Sequence, residues 1–159
     1  MTRTFSTINT SLGDLTLTAS EDLVTGLYQD GQPNFPEKET LGEHVGAIAF
    51  EDVAVQLDEY LHGLRKRFLV PILHHGTAFQ RYVWKTVEEI PYGETVTYGE
   101  LARMMDEEKS VRAVATAVAK NPLTVIVPCH RVVAASGEEK YSGGIPNKRL
   151  LLELESQYR

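Results

Sequence analysis

The residues best suited to chemistry in this 159-residue chain are three neighbours, Cys129, His130 and Arg131. Cys129 is the only cysteine, so an internal disulfide is impossible and a cysteine-based zinc site is excluded. A thiol is a good nucleophile only as the thiolate, which needs a nearby base or a positive field. Histidine and arginine supply both. The cluster therefore indicates nucleophilic cysteine chemistry, although a lone cysteine with other neighbours is usually a small buried apolar residue.

Two β-branched-rich runs, at residues 123–127 and 130–134, flank Pro128-Cys129. We expect both to be strands, separated by Pro128 and Cys129. Because successive side chains of a strand point to opposite faces, His130 would reach the sulfur only through a water or a backbone bend.

The segments that must position the cysteine on either side are predicted to be helices. Apolar residues at helical spacing indicate a helix over residues 79–90. Thr97 and Glu100 form a capping box for a second helix, and Ser110 can cap a third that ends at Asn121-Pro122. Asn147 can cap a last helix, whose apolar positions are Leu150, Leu151 and Leu154.

The third of these helices is unusually rich in alanine, at positions 113, 115, 117 and 119. Small side chains permit tight packing against another helix, or the close approach of a nucleic-acid groove. Residues 106–109 join it to the preceding helix, so the pair is a helix-turn-helix candidate with Arg112 in the first turn of its second helix.

The first 75 residues have a different pattern. An antiparallel meander is predicted from three strands, at residues 4–8, 15–19 and 23–28. An amphipathic helix follows near residues 47–66, then an edge strand at 68–72 that contains Pro71. His74-His75-Gly76 is the best linker candidate, which predicts domains at 1–75 and 76–159.

Composition limits the functional classes. With 42% hydrophobic and 24% charged residues, the chain is typical of globular proteins, and no apolar run is long enough to span a bilayer. The start of the chain lacks a signal-peptide pattern, so we expect an intracellular, cytoplasmic protein. Residues 1–75 carry 5 basic and 11 acidic side chains, whereas residues 76–159 carry 11 of each. The net charge of −6 therefore lies in the first half, and the neutral second half can still meet a polyanion.

The sequence around the cysteine resembles that of a known family, the O-6-alkylguanine-DNA alkyltransferases, also called methylated-DNA-protein-cysteine methyltransferases. The run VIVPCHRVV at 125–133 is similar to their active-site signature. Further matches follow in family order: FQxxVW at 79–84, IPYGETVTYGELA at 90–102, RAV at 112–114, NP at 121–122, YSGG at 141–144, and Lys148. The match covers nearly all of residues 77–155, and before it only SLGxLxL at 11–17 is loosely similar.

The resemblance implies an α+β fold. An N-terminal ribonuclease-H-like sheet-and-helix domain would precede a C-terminal winged-helix-like domain that contains the helix-turn-helix. The implied function is direct DNA repair without a cofactor or metal: Cys129 accepts an alkyl group from O-6 of guanine in double-stranded DNA. Each molecule would act once.

The resemblance also assigns roles to individual residues. His130 would deprotonate Cys129 through a water, oriented by Glu155, and Tyr98 would donate a proton to the leaving guanine. Backbone groups of Cys129, Val132 and Ser142 would bind the flipped base. Asn121 would tie the helix-turn-helix to the active-site segment, or simply cap its helix. On the DNA side the implied residues are Arg112, which would replace the flipped base, and Ala113 on the helix in the minor groove.

Charge alone adds cations that we expect near the DNA backbone, namely Lys109, Lys120 and Lys140, opposed by Glu138 and Glu139. The loop 136–140 that carries these glutamates is expected to border the alkyl pocket.

Two other functional classes are alternatives, a non-catalytic winged-helix DNA binder and a Cys-His hydrolase. The intact Pro-Cys-His-Arg run argues against the first, and the second would need an oxyanion hole for which the sequence offers no residues. A metal site from His62, His74 and His75 is disfavoured, because no carboxylate or thiolate is suitably spaced with them.

Overall fold

The structure is a computed structural model that describes residues 2–159. The chain divides into two compact units, with the boundary between His74 and His75.

The first unit is built on a four-stranded sheet. β1 (Arg3–Thr10), β2 (Gly13–Ser20) and β3 (Leu23–Gln29) form the expected antiparallel meander, and β4 (Glu43–His44) pairs with β1 in parallel, giving the order β3-β2-β1-β4. Leu17 and Leu27 are opposite each other in the register and fully buried. The alternating threonines of β2 are buried as well, so both faces of this central strand are covered.

The predicted helix at 47–66 is shorter than expected. A 3-10 helix at Ala47–Phe50 leads into α1 (Glu51–Leu61), whose buried side includes Val53, Leu57 and Tyr60. Gly63, at φ 74°, ends the helix, because the residue after it bonds back to the carbonyl of Glu59 at 2.8 Å. The basic residues 65–67 therefore lie beyond the helix.

The predicted edge strand at 68–72 is wrong in extent. Only Ile72 forms a β-bridge, to Val24, whose N–H and carbonyl bond to Pro71 and Leu73. Proline cannot donate to a ladder, which limits the pairing to this single position.

The second unit is mainly helical. α2 (Ala78–Glu88) matches the predicted first helix, and α3 (Tyr98–Met104) begins at the expected capping box: Thr97 Oγ1 accepts from the N–H of Glu100, and Glu100 Oε1 accepts from the N–H of Thr97. β5 (Val96–Thr97) precedes α3 directly and pairs in parallel with β6 (Val132–Val133).

The helix-turn-helix consists of α3 and α4 (Val111–Ala119). Asp106 takes a left-handed conformation at φ 58°, and the N–H of Glu107 bonds to the carbonyl of Ala102, so the chain turns sharply after α3. A 3-10 turn at Glu108–Ser110 then leads into α4. The predicted cap by Ser110 is wrong: its side chain makes no capping hydrogen bond, because this turn presents its backbone in another conformation.

The last helix is α5 (Ile145–Gln157), and it begins earlier than predicted. Gly144, at φ 94°, precedes it and Pro146 lies in its first turn, a position that tolerates the missing N–H. Asn147 is therefore inside the helix and donates to the carbonyl of Gly143 at 3.1 Å instead of acting as the cap. Leu151 is buried, whereas Leu150 is 38% exposed.

Candidate active site

Cys129 lies on a short 3-10 helix, Cys129–Arg131, and not between two strands. Its N–H bonds to the carbonyl of Val127 at 2.7 Å, and the N–H of Arg131 bonds to Pro128 at 2.9 Å. The preceding β-branched run forms a tight turn, in which Val125 takes a left-handed φ of 73° that β-branched residues rarely adopt. Both strand predictions were therefore wrong, apart from the two residues of β6. A backbone bend, one of the two alternatives that the sequence left open, places Cys129 and His130 on one 3-10 turn.

Asn121 holds this turn against the end of α4. Its Nδ2 donates to the carbonyl of Val127 at 3.0 Å, and its Oδ1 accepts from the N–H of Leu123 at 3.0 Å. The side chain is 1% exposed. It therefore ties the helix-turn-helix to the residues just before the cysteine, and it also lowers the pKa of the Cys129 thiol.

The thiol of Cys129 is protonated in the resting protein. Burial raises its pKa to about 11, against smaller opposing effects of the Asn121 hydrogen bond and the Lys148 charge. The side chain is only 5% exposed. Formation of the thiolate at neutral pH therefore requires a base.

His130 is a candidate base on the same 3-10 turn as Cys129, and its ring is fixed by Glu155. Nε2 lies 2.8 Å from Oε2 of Glu155, and both side chains are almost completely buried. An ionised carboxylate only accepts hydrogen bonds, so Nε2 carries the hydrogen and Nδ1 is the basic nitrogen. Burial lowers the pKa of His130, which keeps the ring neutral and able to accept a proton at neutral pH.

Arg131 binds the same carboxylate, a contact that sequence reasoning missed. Its Nε donates to Glu155 Oε1 at 2.8 Å and its Nη2 to Oε2 at 2.9 Å, while Nη1 donates to the carbonyl of Ile90 at 2.7 Å. The N–H of Gly93 donates to Glu155 Oε1 at 3.1 Å. The sequence offered one signal, an arginine next to a histidine, but not the partner 24 residues away.

A cavity of about 290 Å³ opens beside the thiol. Its walls come from the start of α3, from one side of α4 and from the loop that precedes α5; they include Tyr98, Arg112, Ala115, Thr116, Cys129 and Tyr141. The volume is at the small end of the range for ligand cavities.

Tyr98 is the first residue of α3 and lines this cavity with Cys129. Burial, and after it the nearby Cys129, raise the pKa of Tyr98. The phenol therefore keeps its proton at neutral pH and can donate it.

The loop before α5 forms the opposite wall and is fastened at several points. Ser142 Oγ donates to the carbonyl of Ala119 at 2.6 Å, which links the loop to the end of α4. The buried ammonium of Lys148 donates to the carbonyls of Lys140 and Val132, at 2.8 and 2.9 Å. Lys140 and Ser142 line the cavity. Val132 is fully buried and is not among the residues that line the cavity.

The alanine-rich helix α4 has one buried side and one exposed side. Val114, Ala117 and Val118 are buried, and Trp84 Nε1 donates to the carbonyl of Ala117 at 2.8 Å, so this side packs against α2. The other side is exposed and carries the residues assigned to DNA, Arg112 and Ala113, with Lys120 at its end and Lys109 in the preceding turn. Of these four residues, only Arg112 lines the cavity.

Residues 2–159 also bear on metal binding and on membrane spanning. No three histidine, cysteine, aspartate or glutamate side chains there are grouped so that they could hold a metal ion. No helix in the same range is long and apolar enough to cross a membrane.

Comparison with known proteins gives the same family for both units. Residues 4–73 match the model of the 6-O-methylguanine DNA methyltransferase ribonuclease-like domain, and residues 78–157 match that of the DNA binding domain. This agrees with the α+β architecture and the helix-turn-helix that the resemblance implied.

Individual relatives match over almost the whole chain. A methylated-DNA-protein-cysteine methyltransferase of Mycobacterium tuberculosis is 41% identical over 152 residues, which cover 95% of this chain and 91% of the relative. The constitutive enzyme of that name from Bacillus subtilis is 37% identical, over 95% and 94%. The crystal structure of the Mycobacterium tuberculosis protein OGT in complex with DNA superposes with a TM-score of 0.87 at 38% identity, covering 98% of this chain and 94% of that one. The chain therefore belongs to the 6-O-methylguanine DNA methyltransferase family.

Proposed function

We propose that this protein repairs DNA directly, by moving an alkyl group from O-6 of an alkylated guanine to Cys129. The observation that carries the proposal is the cavity beside the Cys129 thiol, which opens between α4 and the loop 140–142. A base that has left the duplex could enter there with its O-6 substituent next to the sulfur. Extruding a base costs a few kcal/mol, so contacts to the duplex must compensate.

The reaction would be an in-line displacement at the alkyl carbon. His130 Nδ1 takes the thiol proton, through a bridging water, because Nε2 is occupied by Glu155. The thiolate then forms a sulfur–carbon bond while the carbon–oxygen bond breaks and its electron pair stays on guanine. Tyr98 supplies a proton to the guanine anion and is itself reprotonated from His130 or solvent.

The S-alkyl-cysteine product explains why each protein molecule would react only once. The S-alkyl thioether is a poor electrophile, and no second thiol exists in the chain to displace it. Each molecule would therefore accept one alkyl group, without a cofactor.

DNA would bind along the exposed side of α4. The alanines there allow the backbone of the helix to approach a minor groove, and Arg112, at the cavity, is placed to enter the duplex where the base has left. The partner is double-stranded DNA, and the bacterial relatives favour a cytoplasmic location; in a eukaryote it would be nuclear.

Mass spectrometry tests the proposal. After incubation with a duplex that contains one O-6-methylguanine, we expect the Cys129 peptide to gain one methyl group in place of hydrogen, at one equivalent per protein. The control is Cys129→Ser, which should stay unmodified. Repeated turnover by a small amount of protein would contradict single use and favour a hydrolase, and DNA binding without modification would favour a non-catalytic binder.

A further inference from the structure

Arg131 is adjacent to the catalytic pair but faces away from the cavity, since it is absent from the cavity lining. It is 7% exposed, and its guanidinium donates to Glu155 and to the carbonyl of Ile90, both within the second unit. A buried arginine needs a specific partner, because an isolated charge in the interior is very costly. Its partner here is Glu155, the residue that fixes the catalytic histidine.

Each oxygen of the Glu155 carboxylate accepts at least two hydrogen bonds. Oε1 accepts from Arg131 Nε and the N–H of Gly93, and Oε2 accepts from Arg131 Nη2 and His130 Nε2. A carboxylate has about four acceptor positions, so every one is used. With both Arg131 bonds in place, the carboxylate plane is fixed, and the direction in which His130 can donate is fixed with it.

We infer that Arg131 is a positioning residue for alkyl transfer. Its bidentate hydrogen bonds to Glu155 orient that carboxylate, which in turn keeps His130 in the Nε2–H tautomer, so that Nδ1 can act as the base for Cys129. The inference rests on the proposed function, since it assigns a role within that reaction. It differs from the role of Glu155, because Arg131 touches neither His130 through a hydrogen bond nor the substrate cavity.

The bond from Arg131 Nη1 to Ile90 adds a second anchor. Ile90 and Gly93 belong to the turn between α2 and β5, so this turn contacts both partners of the pair, through its carbonyl at Ile90 and its N–H at Gly93. The guanidinium also lies 5.6 Å from the centre of the Tyr92 ring in the same turn. A lysine at this position would keep the positive charge, but it lacks the planar guanidinium group. It therefore could not make the hydrogen bonds to Glu155 and to Ile90 at the same time.

The charges around His130 determine how the pH dependence should respond. Glu155 holds a proton on the ring, whereas Arg131 and Lys148 oppose it, and Cys129 lies on the same 3-10 turn; from the loop, the Tyr141 ring lies edge-on to the imidazole at 6.4 Å. Removal of Arg131 leaves the negative charge of Glu155 uncompensated. The ring would then keep its proton to higher pH and fail as a base near neutrality.

The test is single-turnover methyl transfer at saturating DNA, measured as a function of pH in wild type, Arg131→Lys and Arg131→Gln. For Arg131→Gln we expect the transfer rate at neutral pH to fall roughly 10- to 100-fold. We also expect the acid limb of the pH–rate profile, where the rate falls because His130 is protonated, to move to higher pH. Arg131→Lys should keep the wild-type acid limb, because the charge remains, with a smaller loss of rate. The matched control is Arg65→Gln, which removes an arginine that bonds Glu59 and the carbonyl of Arg67 in the other unit.

Nitrogen NMR of the His130 ring gives a readout that does not depend on transfer. Wild type should show the Nε2–H tautomer, and Arg131→Gln a protonated or mixed ring at the same pH; if that variant does not fold, a mixed ring in Arg131→Lys supports the inference instead. Identical ring signals and identical acid limbs in every folded variant would overturn it. Failure of the wild type to accept a methyl group would instead overturn the proposed function, while the ring signals still decide the role of Arg131.

Discussion

Arg149 on α5 donates two hydrogen bonds to the carboxylate of Glu139, 2.9 Å from Nε to Oε1 and 2.6 Å from Nη2 to Oε2. Glu139 was expected to oppose DNA binding as an open negative charge, but its charge is offset by this neighbour. Both side chains are exposed, so the pair contributes little to folding and is weakened by salt. Under the proposed function, its importance would lie in the electrostatic field that the loop presents to DNA.

Replacing Glu138 and Glu139 by glutamine should tighten binding to unmodified duplex. The change removes two negative charges and releases Arg149 toward phosphate, and each new phosphate contact steepens the dependence of log K on log salt by about 0.9. Salt titrations of binding measure this. The transfer rate at saturating DNA should stay nearly unchanged.

Arg149→Gln should weaken binding, because it leaves Glu139 without its counter-charge. The matched control is Glu139→Gln with Arg149→Gln, which keeps the net charge of wild type and should restore its affinity. Unaltered binding in all of these variants would show that the loop does not face DNA, and a severalfold change in the transfer rate would show that it shapes the cavity.

Arg112→Ala should impair repair of duplex DNA far more than reaction with a free O-6-benzylguanine base. Arg112 lines the cavity from the exposed side of α4. Under the proposed function it would stabilise the flipped state of the base and would not assist the displacement. Transfer rates on the two substrates measure the difference, and a single-stranded oligonucleotide can replace a poorly reactive free base. Arg103→Ala, an exposed arginine on α3, is the control. Equal losses on both substrates would place Arg112 in the chemistry or in folding.

Tyr98→Phe should slow methyl transfer from O-6-methylguanine on the order of 100-fold, because the guanine anion loses its proton donor. The loss should be smaller for S-6-methylthioguanine, whose leaving sulfur bears negative charge more readily. Single-turnover rates on both substrates measure the ratio. Tyr82→Phe removes a hydroxyl that donates to the carbonyl of Met105, and it serves as the control. The same loss on both substrates would argue for packing instead of proton donation.

The Cys129 thiol should react slowly with iodoacetamide at neutral pH. A pKa of about 11 instead of 9.0 leaves roughly 100-fold less thiolate than an ordinary cysteine has. The reaction rate should rise with pH until about 11 in the folded protein. The same chain unfolded in urea is the control, and it should level off near an ordinary cysteine pKa. A folded-state midpoint below 8 would contradict a protonated resting thiol.

The same shift predicts a loss of stability in alkali. Because the folded state keeps the thiol proton to higher pH than the unfolded chain, the contribution of the neutral thiol is complete below about pH 9 and is lost as pH rises toward 11. Urea unfolding across this range should therefore show a steeper decline for wild type than for Cys129→Ala. Parallel declines would contradict the buried, neutral thiol.

The sequence by itself determined features that depend on near neighbours. The capping box at Thr97 and Glu100 needs only a three-residue spacing, and the pairing of Cys129 with His130 needs only adjacency. Hydrophobic spacing likewise sufficed for α2 and the meander, because period and turn residues are local properties.

The tertiary structure decided everything that depends on a distant partner. The β-branched run before Cys129 became a tight turn because Asn121 bonds both Leu123 and Val127. Ser110 and Asn147 were misjudged as caps, since a polar side chain caps a helix only if the backbone presents an N–H to it. The ion pair between Arg131 and Glu155 is the clearest case. The two residues are 24 positions apart in the sequence, and only the packing of α5 against the cysteine turn brings their charges together. Local patterns carry no information on such a pair, because its stability comes from shared burial.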